Sequence, residues 1–134
     1  MDLLLDRSVV LGVRTPDRCP ELADVLRRHG HRRLFLPALV LGELLAGRPD
    51  EVLWAEQLEL RFPDRVLPVD AAVGRAWGAL GAGGAADPVA GLTAATALVH
   101  GLTVLTAEPD RYAGTGVPVL GAAPPRGAAR AARR

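Results

Sequence analysis

Three acidic residues stand at positions where a carboxylate can do chemistry. Asp6 ends an apolar run at the start of the chain, Glu108 follows the apolar stretch 102–106, and Glu43 interrupts the apolar segment 39–45. A carboxylate among apolar helix residues is costly to desolvate unless it is paired or binds a cation. Clustered carboxylates suit Mg²⁺ or Mn²⁺, which prefer hard oxygen ligands. One acidic pocket that binds a divalent metal is the simplest interpretation that uses all three acids.

Each of these acids also has a purely structural interpretation. Asp6 could cap the turn that follows it. Glu43 could pair with an arginine at the edge of the core, and Glu108, which precedes Pro109, could be a cap or a solvated turn residue. The metal-pocket hypothesis therefore requires a fold that brings the three acids to one place.

Strand and helix signals alternate along the chain. Strands are predicted at 2–5, 33–36, 65–69, 102–105 and 117–120, and helical segments at 6–13, 20–28, 37–46, 50–60, 70–80, 88–100 and 109–112. Such alternation predicts an α/β fold with a parallel sheet covered on both faces. Pro68 predicts that the third strand lies at an edge, because proline cannot donate to a ladder. Ligands bind outside the carboxyl ends of parallel strands, where Asp6 and Glu108 would lie.

Composition limits the possible functions. The 134 residues fit one domain, and an apolar fraction of 49% is enough for a core. No apolar run reaches the roughly 20 residues of a membrane span. The start of the chain has no signal-peptide pattern, so we expect a cytoplasmic protein. The net charge of +1 gives no general reason for nucleic-acid binding.

The basic residues are all arginine, 16 in number, and there is no lysine. This excludes mechanisms that need a catalytic lysine, including the phospho-receiver domain, which shares a strand-end aspartate but needs a lysine on a later strand. The single cysteine, Cys19, cannot form an internal disulfide. From Ala122 onward the sequence loses periodicity, which predicts a disordered, arginine-rich tail over 122–134 behind a domain spanning 1–121.

Five segments, in order, carry a resemblance to a known family. They are Asp6-Arg7-Ser8 after the first strand, Gly42-Glu43-Leu44, and the segments 65–70, 92–106 and 116–120. With these segments the chain resembles the PIN-domain ribonucleases, and among them the VapC-type toxins of bacterial toxin–antitoxin pairs. The resemblance spans about residues 2–121. It implies a three-layer α/β/α fold with a central, mainly parallel sheet of about five strands.

The resemblance also implies a site of four acids. By position, the first is Asp6, the second is Glu43 and the fourth is Glu108, where aspartate is usual. The third position, six residues before Thr96, holds Ala90. Asp87 lies nearly one turn earlier on the same predicted helix and could reach the pocket, or it could be a plain helix cap.

Three further residues are expected to support these acids. Ser8 could hydrogen-bond a carboxylate or a metal-bound water, and Thr106 ends the strand that leads to Glu108. Arg7 could clamp a phosphate, or it could form an ion pair that competes with the metal.

By resemblance, the function is that of a Mg²⁺- or Mn²⁺-dependent endoribonuclease of toxin type. The resemblance implies an RNA substrate, a homodimer, and a small cognate antitoxin protein that silences the site. The alternative is a catalytically inactive PIN-like module that binds RNA or a protein partner. Asp6, Glu43 and Glu108 favour the enzyme, whereas Ala90 favours the binding module.

Overall fold

A five-stranded sheet organises the fold. The computed structural model describes residues 2–14, 20–46, 48–81 and 87–122. The strands are β1 (Leu3–Leu5), β2 (Leu34–Pro37), β3 (Val66–Leu67), β4 (Thr103–Thr106) and β5 (Val119–Gly121). Cys19, Gly47, the glycine-rich loop 82–86 and the predicted tail from 123 onward lie outside the described residues.

Helices connect the strands. They are α1 (Arg7–Arg14), α2 (Pro20–Arg28), α3 (Ala38–Leu45), α4 (Val52–Leu60), α5 (Ala71–Leu80) and α6 (Pro88–His100), with short 3-10 turns at Pro49–Glu51 and Pro109–Tyr112. None of the helices within the described ranges is long and apolar enough to cross a membrane.

The strand order is β3-β2-β1-β4-β5, and each neighbouring pair is parallel. This confirms the predicted α/β fold with a five-stranded parallel sheet. The third strand lies at an edge, as Pro68 predicted. In the central pair, Leu3, Leu4 and Leu5 of β1 pair with residues 103, 104 and 105 of β4. The register therefore brings the carboxyl ends of β1 and β4 side by side.

Two hydrophobic clusters form the core, one on each face of the sheet. Leu3 and Leu5 point into a cluster with the apolar residues of α1, α2 and α3. Leu4 points the other way, into a cluster with the alanines of α6 and Val104. This alternation is the period-two pattern of a strand covered on both faces. The sheet thus lies between two helical layers, in the three-layer arrangement that the resemblance implied.

Predicted helix caps are confirmed at two helices. The Asp70 side chain accepts a hydrogen bond from Val73 N at the start of α5. The Asp87 side chain accepts one from Ala90 N at the start of α6. Gly101 ends α6 with φ of 65°, a left-handed conformation that glycine adopts at low cost.

Some predicted boundaries were wrong by a few residues. Pro37 was expected in the first turn of a helix but is the last residue of β2 and precedes α3. The last strand was expected at 117–120 but begins at Val119. Pro118 has no N–H to donate to the ladder, although its carbonyl accepts a hydrogen bond from Val104 N at 2.9 Å. The third strand is shorter than predicted, since Pro68 ends it after Leu67.

Candidate active site

Asp6 lies at the carboxyl end of β1, beside the carboxyl end of β4. Its backbone N–H donates to the Leu105 carbonyl at 3.2 Å, which continues the β1–β4 ladder by one residue. The residue is only 1% exposed. Because a buried carboxylate must find donors or a cation, the groups that surround Asp6 define the site.

Hydrogen-bond donors reach both oxygens of the Asp6 carboxylate. Oδ1 accepts from Ser8 N at 3.0 Å, from Ser8 Oγ at 2.5 Å and from Val9 N at 3.4 Å. Oδ2 accepts from Thr106 Oγ1 at 2.6 Å and from the Tyr112 hydroxyl at 2.9 Å. Asp6 therefore caps the first turn of α1, as its structural interpretation predicted, and is also the centre of a polar network that spans two strands.

Ser8 and Thr106 connect the two strand ends around Asp6. Ser8 Oγ accepts a hydrogen bond from Ala107 N at 2.9 Å, and Thr106 Oγ1 accepts one from Glu108 N at 2.9 Å. The two hydroxyl oxygens are 3.3 Å apart. Ser8 thus makes the carboxylate hydrogen bond that the sequence led us to expect. Both hydroxyls fix the path of the chain toward Glu108.

Tyr112 was not predicted as a site residue. It ends the short turn Pro109–Tyr112 and is 3% exposed. Burial raises the pKa of Tyr112 far above its usual value, and the Asp6 carboxylate adds to the increase. The phenol therefore stays protonated and serves as a donor to Asp6.

Glu43 lies on α3 with its side chain 11% exposed. Its Oε2 is 3.3 Å from Arg7 Nη1, but within the described part of the chain this oxygen accepts no hydrogen bond. Burial raises the pKa of Glu43; Asp6 and Asp87 raise it further, and Arg7 and Arg111 oppose the increase. Glu43 therefore lies within electrostatic reach of Asp6. The ion pair with an arginine, expected as its structural interpretation, is present.

Arg111, which sequence analysis also missed, lies among three of the acids. Its Nε is 3.2 Å from Asp87 Oδ2 and 3.6 Å from Glu108 Oε2, and its Nη1 is 3.6 Å from Asp6 Oδ2. The side chain is 14% exposed, less than those of Asp87 and Glu108 at 42% and 47%. Burial alone would lower the pKa of Arg111, but Asp87 and Asp6 outweigh burial and keep the pKa raised.

Asp87 and Ala90 occupy the start of α6. Asp87 caps the helix and makes two contacts with the Arg111 guanidinium, so its side chain does turn toward the acidic residues. Burial acts to raise the pKa of Asp87, but the Ala90 N–H and Arg111 lower it overall. Ala90, at the position where the resemblance expects an acid, is fully buried in the apolar cluster with Leu4 and Val104.

Glu108 is the most exposed of the predicted acids. It precedes the turn Pro109–Tyr112 and makes no side-chain cap hydrogen bond. Its link to the other acids is the ion pair with Arg111. Glu108 therefore joins the site through a guanidinium rather than through Asp6 directly.

As arranged in this structure, these side chains do not form a ligand set for a divalent cation. Donors already reach both oxygens of Asp6, Ala90 supplies no ligand, and the guanidinium groups of Arg7 and Arg111 contact the carboxylates. No group of three or more His, Cys, Asp or Glu side chains that could hold a metal ion occurs in the described ranges. The carboxylate oxygens are suitable ligands by type, but Arg111 lies where their charges converge.

The PIN domain family model matches residues 3–114, and the chain belongs to this family. The resemblance stated from the five sequence segments is thereby confirmed. No curated protein matches the chain.

Several solved structures are similar to this chain, and one of them is a toxin–antitoxin complex. FitAcB from Neisseria gonorrhoeae is 23% identical, with a TM-score of 0.74, and the match covers 90% of this chain and 97% of that chain. A toxin–antitoxin complex from Klebsiella pneumoniae is 15% identical, with a TM-score of 0.69 and coverage of 90% and 98%. DNA-bound VapBC from Salmonella typhimurium is 17% identical, with a TM-score of 0.65 and coverage of 91% and 98%. At these identities the similarity establishes the shared fold.

Proposed function

We propose that this chain is the toxin-side protein of a toxin–antitoxin pair and acts as an endoribonuclease that depends on Mg²⁺ or Mn²⁺. The observation that carries the proposal is the position of Asp6. A nearly fully buried carboxylate lies at the adjoining carboxyl ends of β1 and β4, and Glu43 pairs with Arg7, the next residue after Asp6. Membership of the PIN family supports a nuclease, and the fold shared with toxin–antitoxin complexes supports the toxin role.

In this proposal Asp6, Glu43 and Glu108 are the catalytic and metal-binding acids, and Asp87 joins them from the start of α6. A bound divalent ion would supply a polarised water and charge neutralisation near a phosphodiester. Ser8 and Thr106 orient the Asp6 carboxylate, and Arg7 restrains Glu43. The proposed partners are RNA, a small antitoxin protein and a second copy of the chain, and the proposed location is the cytoplasm. The domain proposed for these roles spans residues 1–121.

A second candidate function is binding of RNA or a protein partner without cleavage. Ala90 favours it, because the position where the family resemblance expects an acid carries a methyl group buried in the core. Arg111 favours it as well, since a guanidinium bound to three carboxylates lowers the negative charge that would attract a metal.

An RNA cleavage assay distinguishes the two candidates. The purified full chain is incubated with a mixture of labelled RNAs in Mg²⁺, in Mn²⁺ and in EDTA, and RNA retention is measured in parallel by filter binding. Asp6→Asn is the test variant. Asp64→Asn is the matched control, because Asp64 is exposed, precedes β3 at its amino end and has a left-handed φ of 61° that asparagine tolerates.

The enzyme proposal expects cleavage that requires metal, is lost in Asp6→Asn and is kept in Asp64→Asn. RNA retention without cleavage by the wild-type chain would support the binding module instead. Cleavage that survives Asp6→Asn would refute the proposed site.

A further inference from the structure

We propose that Arg111 is a built-in counterion of the acidic pocket, and that a divalent cation can bind at Asp6 only when the Arg111 guanidinium leaves. This inference concerns the regulation of the proposed site and rests on the proposed function for its biological meaning. Its physical basis is the set of contacts that Arg111 makes.

One guanidinium group joins three segments that are distant in sequence. Arg111 contacts Asp87 through Nε at 3.2 Å and Nη2 at 3.4 Å, in a two-point pairing. It also contacts Asp6 at the end of β1 and Glu108 after β4, each at 3.6 Å. The planar guanidinium fork suits such simultaneous pairing with several carboxylates. Arg111 thus lies at the point where a metal ligated by these acids would have to approach.

The charges around Arg111 are not fully balanced. Four carboxylates, those of Asp6, Glu43, Asp87 and Glu108, face the two guanidinium groups of Arg7 and Arg111, which leaves a formal charge of −2. A residual negative charge in a partly buried site still attracts cations. The pocket is therefore suited to exchange a guanidinium for a metal ion.

A metal and Arg111 compete for the Asp6 carboxylate because both are positively charged. Mg²⁺ and Mn²⁺ bind carboxylate oxygens at about 2 Å, whereas Arg111 Nη1 is already 3.6 Å from Asp6 Oδ2. A dication placed at that oxygen would face a positive group at close range in a poorly solvated site. A metal at Oδ2 would also take the place of the Thr106 or the Tyr112 hydrogen bond, because a carboxylate oxygen has two lone pairs. Those two donors are neutral, so the electrostatic exclusion of a cation comes from Arg111.

Arg111 is also placed so that it can move. It lies in the short turn Pro109–Tyr112, whose Asp110 carbonyl accepts a hydrogen bond from Ala113 N, and Gly114 follows with a left-handed φ of 82°. Its own side chain is partly exposed, as are its partners Asp87 and Glu108. The guanidinium can therefore reach solvent by rotation of its side chain, without unfolding a helix or a strand.

The test is Mn²⁺ binding in the absence of RNA, measured from the EPR signal of free Mn²⁺. The wild-type chain is compared with Arg111→Gln and with Arg75→Gln, a control on the exposed part of α5. We expect Arg111→Gln to bind Mn²⁺ about tenfold more tightly than the wild type, within the usual range of coupling between two ligands, and Arg75→Gln to match the wild type. Equal affinities of Arg111→Gln and wild type, or no binding to either, would overturn the inference.

A second measurement uses the wild-type chain, so its result does not depend on whether Arg111→Gln folds. The Nε–H signal of Arg111 is assigned in a ¹⁵N NMR spectrum by its absence from Arg111→Lys, and Mg²⁺ is then added. The inference expects the Arg111 signal to shift or exchange with solvent as the Ser8 and Glu108 amide signals report metal binding. An unchanged Arg111 signal under those conditions would contradict it.

The two proposals can fail separately. RNA cleavage combined with equal Mn²⁺ affinities would reject the counterion and leave the nuclease intact. Tighter Mn²⁺ binding by Arg111→Gln without any RNA cleavage would keep the counterion and reject the nuclease.

Discussion

The Tyr112 hydroxyl donates a 2.9 Å hydrogen bond to Asp6 Oδ2, across 106 positions of sequence. This contact fixes the turn after β4 against the end of β1. It also explains why a carboxylate that is 1% exposed is tolerated there, since donors on three segments satisfy it. The hydrogen bonds of the site therefore stabilise the fold, in addition to the chemical role proposed for Asp6.

Tyr112→Phe should reduce the free energy of unfolding by about 1.5–3 kcal/mol, because it removes one hydrogen bond to a buried charged group and leaves the ring in place. Urea denaturation monitored by circular dichroism measures the loss. A double-mutant cycle with Asp6→Asn should show that the two losses are not additive. Additive losses would mean that the hydroxyl stabilises the fold through another partner.

Thr106→Val should also be destabilising, by about 1–3 kcal/mol, since its hydroxyl both donates to Asp6 and accepts from Glu108 N. Valine keeps the shape and the strand preference of threonine, so the hydroxyl is the main change. Thr106→Ser retains the hydroxyl and is the matched control. If the serine variant lost as much stability as the valine variant in the same denaturation experiment, packing rather than hydrogen bonding would be responsible.

Glu43→Gln should change how stability depends on pH. The folded-state pKa of Glu43 is raised, chiefly by burial. Its contribution to stability is therefore full below the unfolded pKa and is lost as the pH rises through the folded pKa. Glutamine has no proton to lose, so the variant should gain stability relative to wild type as the pH rises from the unfolded pKa of Glu43 through its raised folded pKa. Urea midpoints in EDTA measure this difference, and parallel pH profiles would contradict the account.

Ala90→Asp tests the position where the resemblance expects an acid. Ala90 is fully buried among apolar residues, so an unpaired carboxylate there should cost about 3–5 kcal/mol. Ala90→Asn, nearly the same in shape and uncharged, should cost less. Mn²⁺ should recover part of the stability of Ala90→Asp but not of Ala90→Asn. If Mn²⁺ stabilised neither variant, position 90 would not face the acidic pocket.

The fold could be predicted from the sequence because its signals are local. The order of strands and helices follows from the alternating apolar runs and from the helix caps Asp70 and Asp87. The position of β3 at an edge follows from Pro68. The predicted ends of the third and fifth strands lie beside Pro68 and Pro118, where a missing N–H shifts the boundary by up to two residues.

Two residues of the candidate site could not be predicted in this way. The sequence identifies three of the acids, because acids next to apolar runs are unusual: Asp6, Glu43 and Glu108. Tyr112 and Arg111 lie in an ordinary polar turn, and only the register of β1 with β4 brings them to Asp6. Periodicity carries no information on such contacts between distant segments. The one sequence signal for Arg111 is its position three residues after Glu108, close enough for an ion pair.

The most direct test of the central claim is the map of Mn²⁺-induced broadening in the ¹⁵N NMR spectrum of the wild-type chain. At low Mn²⁺ concentration the account predicts that amide signals at the strand ends, those of Ser8, Ala107 and Glu108, broaden first. It also predicts that Asp6→Asn abolishes this effect. Broadening centred on the exposed acids of α4, or at the strand ends in Asp6→Asn as well, would contradict a cation site built around Asp6.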